Sequence, residues 1–395
     1  MLKMIIVLLL LGLINPLLSV IILTGQQECT CKPALEFYAN NLVSAKIAGQ
    51  GYAGVAEIGD ISFSNLNPAS FDIKNDAQLY YEYGMKNNTT FYSDINAEGN
   101  EVTSYRAAVA AAFAYKFTDH VRAGLIYSTK SSYNINLGEM VNTHNGEILE
   151  TFQLTEKRYI RSVNLPISYV LEKFRFGVGL NLDIYHSEVK NVYPLLNGTW
   201  NDYCGELAFL MFRPKFGAIY TPLQNFSLGI SMLIPAEKKL TTDCIFFSLE
   251  HNTNKFPLEM QVGTKFSSSK IPLSVLVDFS HKHYSDMPEY TDSNNFHLGL
   301  EYAPMKKLHL RTGIFTNFDY RNTDYTFTDG AGNEYDFWQE SDTFVDRKYL
   351  SFGLTYFWKR TEINLAVVDS SLLTDSEVKQ TYAKLGFTIQ LAHPE

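Results

Sequence analysis

Phe174–Tyr185 reads FRFGVGLNLDIY, and the fold turns on how this stretch is read. Phe174, Phe176, Val178, Leu180, Leu182 and Ile184 fall on one side of a period of two; Arg175, Gly177, Gly179, Asn181 and Asp183 fall on the other. That period is the spacing of a β-strand, whose successive side chains point to opposite faces. One face is unbroken hydrocarbon. The other carries a cation, an acid, an amide and two glycines, a set that no dry core accepts without a partner for each charge.

The same grammar recurs along the chain in AAVAAAFAYKF (107–117), VRAGLIYS (121–128), FSLGISMLI (226–234), LEMQVGTKF (258–266), IPLSVLVDF (271–279), FHLGLEYAP (296–304), LHLRTGIF (308–315), YLSFGLTYFW (349–358), EINLAVVD (362–369) and YAKLGFTIQL (382–391). The alternation predicts strands over 77–85, 103–117, 121–130, 157–171, 174–186, 206–221, 225–235, 256–266, 271–281, 292–303, 307–317, 347–357, 361–369 and 380–391. One set of connections is tight: TDH, EK, TPLQN, SSSK, APMKK and FWKRT. The alternate set is longer, at 86–102, 131–156, 187–205, 236–255, 282–291, 318–346 and 370–379. Short turns at one end and long loops at the other, with an even strand number, are the arrangement of an outer-membrane β-barrel. A soluble all-β sandwich is the competing reading. It fails on the second face, which carries Arg106, Lys116, Arg122, Arg175, Asp183, Arg213, Lys215, Glu259, Lys265, Asp278, Glu301, Arg311 and Lys384. Tyr115, Tyr127, Tyr159, Tyr169, Tyr220, Tyr302 and Tyr356 stand at strand ends on the apolar face, where an interfacial girdle belongs.

Composition agrees. Of 395 residues 14% are aromatic and only 19% charged, yet mean hydropathy is −0.12, too low for a bundle of apolar helices. The net charge of −9 speaks against a nucleic-acid partner, since phosphate binding draws on a surplus of Lys and Arg. The N-terminus, MLKMIIVLLLLGLINPLLSVIILTGQQECTC, has one Lys before about 20 mostly apolar residues. Residues 1–25 read as a secretory signal peptide; an uncleaved anchor helix competes, but Asn15-Pro16 interrupts it. Four cysteines in an exported chain allow three pairings. Cys204 and Cys244 fall in successive long loops, as a disulfide or as separate thiols; the pairing of Cys29 and Cys31 stays open.

A barrel of fourteen strands is too wide for wall side chains to fill. Its inward face is rich in glycine, at Gly124, Gly177, Gly179, Gly217, Gly229, Gly263, Gly299, Gly313, Gly353 and Gly386, where a second backbone can come close. The occupant is the N-terminal segment 26–76, a hatch preceding a barrel over 77–391. Within it Gly49, Gly51 and Gly54 have the G-x-G-x-x-G spacing of a dinucleotide turn. No helical stripe follows and Pro68 intervenes, so these glycines are read as hatch turns, with Asn67-Pro68-Ala69 as a rigid Asx-Pro turn.

At this point the chain resembles the FadL/TodX outer-membrane transporters of fatty acids and other hydrophobic compounds. The resemblance rests on SAKIAGQGYAGVA…SNLNPASF, PKFGAIYTP…NFSLGISMLIP, FPLEMQVGTKF…IPLSVLVDFS, HLGLEYAPMKKLHLRTGIF and YLSFGLTYFW, in that order over residues 40–391. It implies passive uptake of a fatty acid-like or aromatic hydrophobic ligand: capture by external loops, entry into the lumen under control of the hatch, and exit sideways to membrane lipid at a kinked third strand. Here that strand is 121–130, and inward Gly124 either kinks it or makes room for the hatch. Tyr193, Leu195, Leu196 and Trp200 in one loop and Ile245, Phe246 and Phe247 in the next suit capture. Arg213, Lys215 and Arg311 point inward and could meet a ligand carboxylate; alternatively they pair with Asp278, Glu259 or Glu301, or tie the hatch. A second implied reading is a non-transporting barrel similar to the PorV-like shuttle or scaffold subunits of a secretion system. The ending KLGFTIQLAHPE is spaced like the signal read by barrel-insertion machinery, although it lacks a terminal aromatic. A monomer without cofactor is expected. Ser280, His281 and Asp286 have no nucleophile frame around them, so no enzyme activity is expected. His281 and His283 share a strand face as a metal pair would, but no third ligand stands at useful spacing, and they are read as a solvated edge.

Overall fold

The computed structural model describes residues 44–391 apart from 74, 95–96, 145–146, 195–199, 240–252, 269, 285–286, 289, 323, 329–331, 333, 337–345 and 375–378. The chain first forms a short helix, α1 (Ala45–Gly49), and a 3-10 turn (Ile61–Asn65). Strands follow: β1 (Ala77–Asp94), β2 (Ala97–Lys116), β3 (Val121–His144), β4 (Glu147–Leu171), β5 (Phe174–Pro194), β6 (Trp200–Leu223) and β7 (Phe226–Leu233). A small hairpin, β8 (Ala236–Lys239) with β9 (Thr253–Phe256), precedes β10 (Leu258–Ser267), β11 (Leu273–His283), β12 (Ser293–Met305) and β13 (Leu308–Asn317). A second hairpin, β14 (Thr326–Thr328) with β15 (Glu334–Asp336), precedes β16 (Arg347–Trp358), β17 (Thr361–Asp369) and β18 (Lys379–Leu391).

Fourteen of these strands, all but the two small hairpins, form one closed antiparallel barrel. Closure runs from Ala77↔Leu391 to Thr89↔Lys379, so neither terminal strand keeps an open edge. The alternation in the sequence sorts the two faces. Leu165, Ile167 and Tyr169 on β4, Phe174, Phe176, Val178 and Leu180 on β5, and Phe212, Phe216 and Tyr220 on β6 are exposed, while Asn181, Asp183 and Arg213 are buried inside. An apolar band continuous around the outer wall is untenable in water and is the surface a bilayer covers. Tyr169, Tyr220, Tyr302 and Tyr356 stand exposed close to the short-turn end, as a girdle does. Among the described residues no helix is long and apolar enough to cross a membrane, which says nothing of a crossing by strands.

The sequence-derived boundaries hold to within about two residues on the short-turn side, and differ at the other end. Segments 86–102, 131–156 and 187–205, expected as long loops, largely continue the strands: pairing runs on to Asp94↔Ala97, His144↔Glu147 and Pro194↔Trp200. β3 and β4 have 24 and 25 residues, where about 9–11 suffice to cross a bilayer. The overhang is longer than a crossing needs, and its alternation survives only in short runs such as Tyr133, Ile135 and Leu137 between Asn134 and Asn136. Tyr193, Trp200 and Cys204 are accordingly strand residues rather than loop residues.

Residues 44–73 lie in the lumen as a plug. Ser44 caps α1, its Oγ accepting the Ile47 N–H at 3.3 Å, and Asp60 caps the 3-10 turn, accepting the Ser62 N–H at 3.0 Å. The apolar core is the interface between plug and wall. Ile47, Tyr52, Val55, Phe63 and Leu66 pack with Phe315, Tyr349, Val368 and Tyr382; Ile61, Phe71 and Ile73 pack with Tyr80, Ala110, Ala112, Ala114 and Ile126. The alanines of β2 and the inward glycines are the counterpart of the plug's bulk. A Cβ on Gly353 would stand 2.8 Å from Gly49 Cα, one on Gly177 2.2 Å from Pro68 C and Ala69 N, and one on Gly229 2.3 Å from Val55 O. Gly51 has φ +68°, a left-handed conformation that glycine enters without strain.

Candidate functional site

The lumen divides into a tied lower part and an apolar upper part. In the lower part, polar groups from strands around the wall reach the plug. Lys46 Nζ lies 2.7 Å from Asp60 and also contacts Glu362 on β17. Asp278 Oδ2 on β11 accepts the N–H groups of Gly54 at 2.5 Å and Val55 at 2.8 Å. Lys265 on β10 pairs with Glu57 at 2.8 Å, and Lys215 on β6 donates to Asn65 O at 2.6 Å. Asn67 donates to Val55 O at 2.8 Å and to Ile230 O at 3.2 Å on β7, while its Oδ1 accepts the Ala69 N–H at 3.0 Å; this is the expected Asx turn around Pro68. At the short-turn end Asp72 bridges Arg122 at 2.7 Å and Arg175 at 3.0 Å. Burial alone would raise the pKa of Asp72, but Arg175, then Arg122, outweigh it and hold the carboxyl below its usual range. Burial likewise opposes the charge on Lys46, while Asp60 and Glu362 more than restore it.

The upper part is built by β4, β5 and β6 with the β8–β9 hairpin. Ile160, Tyr185, Phe209, Met211 and Phe256 form a buried cluster packed against Ala236. The Tyr185 and Phe209 rings stack at 4.7 Å, and Tyr185 meets Phe256 edge-on at 5.5 Å. Below them on the same face of β6, Arg213 lies 5.4 Å from the Phe256 centroid. Its donors are taken: Nη2 gives to Pro257 O at 2.9 Å and Glu259 Oε1 at 3.1 Å.

The three inward cations singled out from the sequence therefore do not converge on one anchor. Arg213 pairs with Glu259, Arg311 with Glu301 at 2.5 Å and with Thr355, and Lys215 with the plug backbone. These are the alternative partners weighed from the sequence. Leu196, Phe246, Phe247 and Cys244 lie outside the described residues.

The third strand keeps its register past Gly124, and the register shifts of its ladder with β4 lie further along, between Thr129 and Ser131, Asn136 and Glu139, and Asn142 and Thr143. Between Ala123↔Ile167 and Ile126↔Asn164 the register is unchanged, but Gly124 and Leu125, facing Pro166 and Leu165, are not bridged. Proline has no N–H to give a ladder, and Pro166 is the signal that the sequence reading missed. A Cβ on Gly124 would stand 2.6 Å from Ile61 Cδ1, so this glycine also makes room for the plug. Directly inside the break, Asn164 is buried with neither amide atom hydrogen-bonded. Above it the β2–β3 ladder ends at Ala110↔Ser128, whereas β1–β2 and β3–β4 continue as separate hairpins.

No family model matches the chain, and no curated protein matches its sequence. Solved structures do match. The toluene transporter TodX of Pseudomonas putida aligns at 15% identity over 91% of this chain and 98% of that one, with a TM-score of 0.62. The toluene transporter TbuX of Ralstonia pickettii aligns at 14% identity over 89% and 99%, with a TM-score of 0.60. A FadL homologue of Pseudomonas aeruginosa aligns at 13% identity over 89% and 100%, also at 0.60. The fold is that of the FadL/TodX-type barrels.

Proposed function

We propose that this FadL/TodX-type barrel is an outer-membrane channel through which uncharged hydrophobic small molecules pass by diffusion. One observation carries the reading: the upper lumen holds a buried aromatic and aliphatic cluster, Ile160, Tyr185, Phe209, Met211 and Phe256, where a water-filled pore has a polar wall. Apolar surface at that position attracts an apolar solute, and Tyr185 and Phe256 have only to part to admit it. The inward cations argue for neutral cargo. A ligand carboxylate would have to displace Glu259 from Arg213 or Glu301 from Arg311, and breaking a buried pair costs about 3–5 kcal/mol. Aromatic hydrocarbons and other uncharged molecules meet no such barrier, and long-chain fatty acids are the less favoured class. The exit we assign is the interrupted β3–β4 ladder at Gly124 and Pro166, which faces the lipid band, with movement of the residue 44–73 plug as the gate. Since all fourteen wall strands pair within one chain, a monomer suffices.

A second reading, a PorV-like non-transporting scaffold, draws on the same plug: a lumen tied at Asp278, Lys265, Lys215 and Asp72 suits a closed barrel. Uptake separates the two. Cells carrying the protein in the outer membrane should take up a labelled monoaromatic hydrocarbon faster than cells without it, and Phe209→Arg should abolish the gain. Uptake equal to that of the empty cells would remove the channel reading and leave the scaffold.

A further inference from the structure

We propose a divalent transition-metal site on the outward face of β11 and β12, built from His281, His283 and Asp292. Cross-strand register creates it. Successive outward rows pair Val277 with Leu298, Phe279 with Phe296, and His281 with Asn294. Asp292 directly precedes β12 and comes to lie beside His283. The Phe279 and Phe296 rings are 5.2 Å apart. They form the top of the greasy band here, so the histidines stand just above the lipid, open to solution.

The donor atoms are already gathered. His283 Nδ1 is 2.9 Å and His281 Nε2 3.7 Å from Asp292 Oδ2, and all three ligand atoms lie within 4.8 Å of one another. Tetrahedral bonds of about 2.0–2.1 Å set ligand atoms roughly 3.3 Å apart, a spacing that these distances bracket. The surroundings orient them. His281 Nδ1 lies 2.9 Å from Asn294 Oδ1, an acceptor, which places the ring proton on Nδ1 and turns the Nε2 lone pair toward Asp292. Asp292 Oδ1 is fixed by the Tyr284 N–H at 2.7 Å, leaving Oδ2 for the ion. Two imidazoles and one carboxylate suit zinc, cobalt, nickel or copper rather than calcium or magnesium. On binding, the proton that His283 Nδ1 shares with Asp292 passes to solvent, and the fourth position of the ion is left to water. The sequence hid the site because its third ligand is nine residues from His283, across a strand connection; only the register of β11 against β12 brings Asp292 back. The ion would clamp the two strands at the base of that connection, whatever the lumen carries.

The test uses full-length, metal-free protein in detergent with its cysteines alkylated: one sample is dialysed against zinc for stoichiometry, and a separate one is titrated with cobalt(II) while the visible ligand-field absorption is followed. One ion per chain is expected, with tetrahedral-type cobalt bands. His281→Ala/His283→Ala should remove both, and Asp292→Asn should weaken binding at least tenfold. Asn294→Ala, which touches only the orientation of His281, should weaken it about tenfold to a hundredfold. Circular dichroism of each variant must show the wild-type barrel. No zinc retained at micromolar free concentration, or wild-type stoichiometry in the double histidine variant, would overturn the assignment and leave a hydrogen-bonded His–Asp pair on a solvated edge.

Discussion

Gly177→Val tests how the lumen is closed. Gly177 is held in ladders on both sides, to Ser168 on β4 and Gly217 on β6, so the wall cannot retreat without losing backbone hydrogen bonds. A Cβ there would stand 2.2 Å from Pro68 C and Ala69 N, about 1.3 Å inside the roughly 3.5 Å at which carbon contacts turn favourable. The atoms in the way are backbone and cannot rotate aside. The plug must therefore move by more than 1 Å (about the overlap itself), at the overpacking cost of about 1–3 kcal/mol. Such a shift also breaks the Asn67 contacts to Ile230 O at 3.2 Å and Ala218 O at 3.4 Å, worth about 1 kcal/mol each at most. The plug should loosen by about 1–5 kcal/mol while the barrel persists. Single-channel recording in planar bilayers should show brief openings in the variant and a silent wild type, and protease should nick the variant within 44–73 first. Gly386→Ala is the milder comparison, since its nearest neighbour is the Tyr80 hydroxyl at 3.1 Å and no backbone atom stands in the way. A Gly177→Val protein with wild-type conductance, protease resistance and thermal stability would refute the packing of the plug against this wall.

Other outcomes follow from the same contacts. Lys46→Met strands Asp60 and Glu362 in a buried site and should lower the unfolding free energy of the plug by about 3–5 kcal/mol, measured by denaturant titration of a fluorophore on the plug. The Asp72 tie is an acid-sensitive one: its carboxyl pKa is depressed in the folded protein, so its stabilisation is complete above the ordinary value of 3.8 and fades as pH falls through the lower folded value. Protease access to the plug should therefore rise below about pH 3.8 in the wild type, whereas Asp72→Asn should be equally accessible at neutral and acid pH. Asp278→Ala leaves the Gly54 and Val55 N–H groups without their acceptor, and hydrogen exchange at those two amides should quicken by about tenfold or more.

Much of this architecture is legible in the chain because the lipid-facing wall must alternate. Phe174–Tyr185 states both faces, and the inward glycines announce a second backbone lying close behind the wall. Asn67-Pro68-Ala69 forms its turn as read, and Gly177 and Gly217 are the residues that receive it. What escaped the reading has physical causes. The upper parts of β3 and β4 extend well past the length of a crossing and alternate only in short runs, Tyr133 to Leu137 and Phe152 to Leu154, which read as loops. The aromatic cluster of the upper lumen was hidden because Tyr185, Phe209 and Met211 sit on the inward face, where apolar residues break the pattern that locates strands. Pairing among charges is not encoded in sequence spacing: Arg213 and Glu259 are brought together only by strand register, so a candidate ligand anchor proved to have a partner inside the protein. His281 and His283 lacked a third ligand for the same reason.

A wall greasy outside and plugged inside is most directly measured by spin labels placed singly along β4 in proteoliposomes. Labels at Leu165, Ile167 and Tyr169 should be accessible to oxygen dissolved in lipid, and labels at Ser162, Asn164 and Ser168 should be shielded from both oxygen and a water-soluble relaxation agent. Loss of the two-residue period, or free access of the water-soluble agent to the second set, would contradict this architecture.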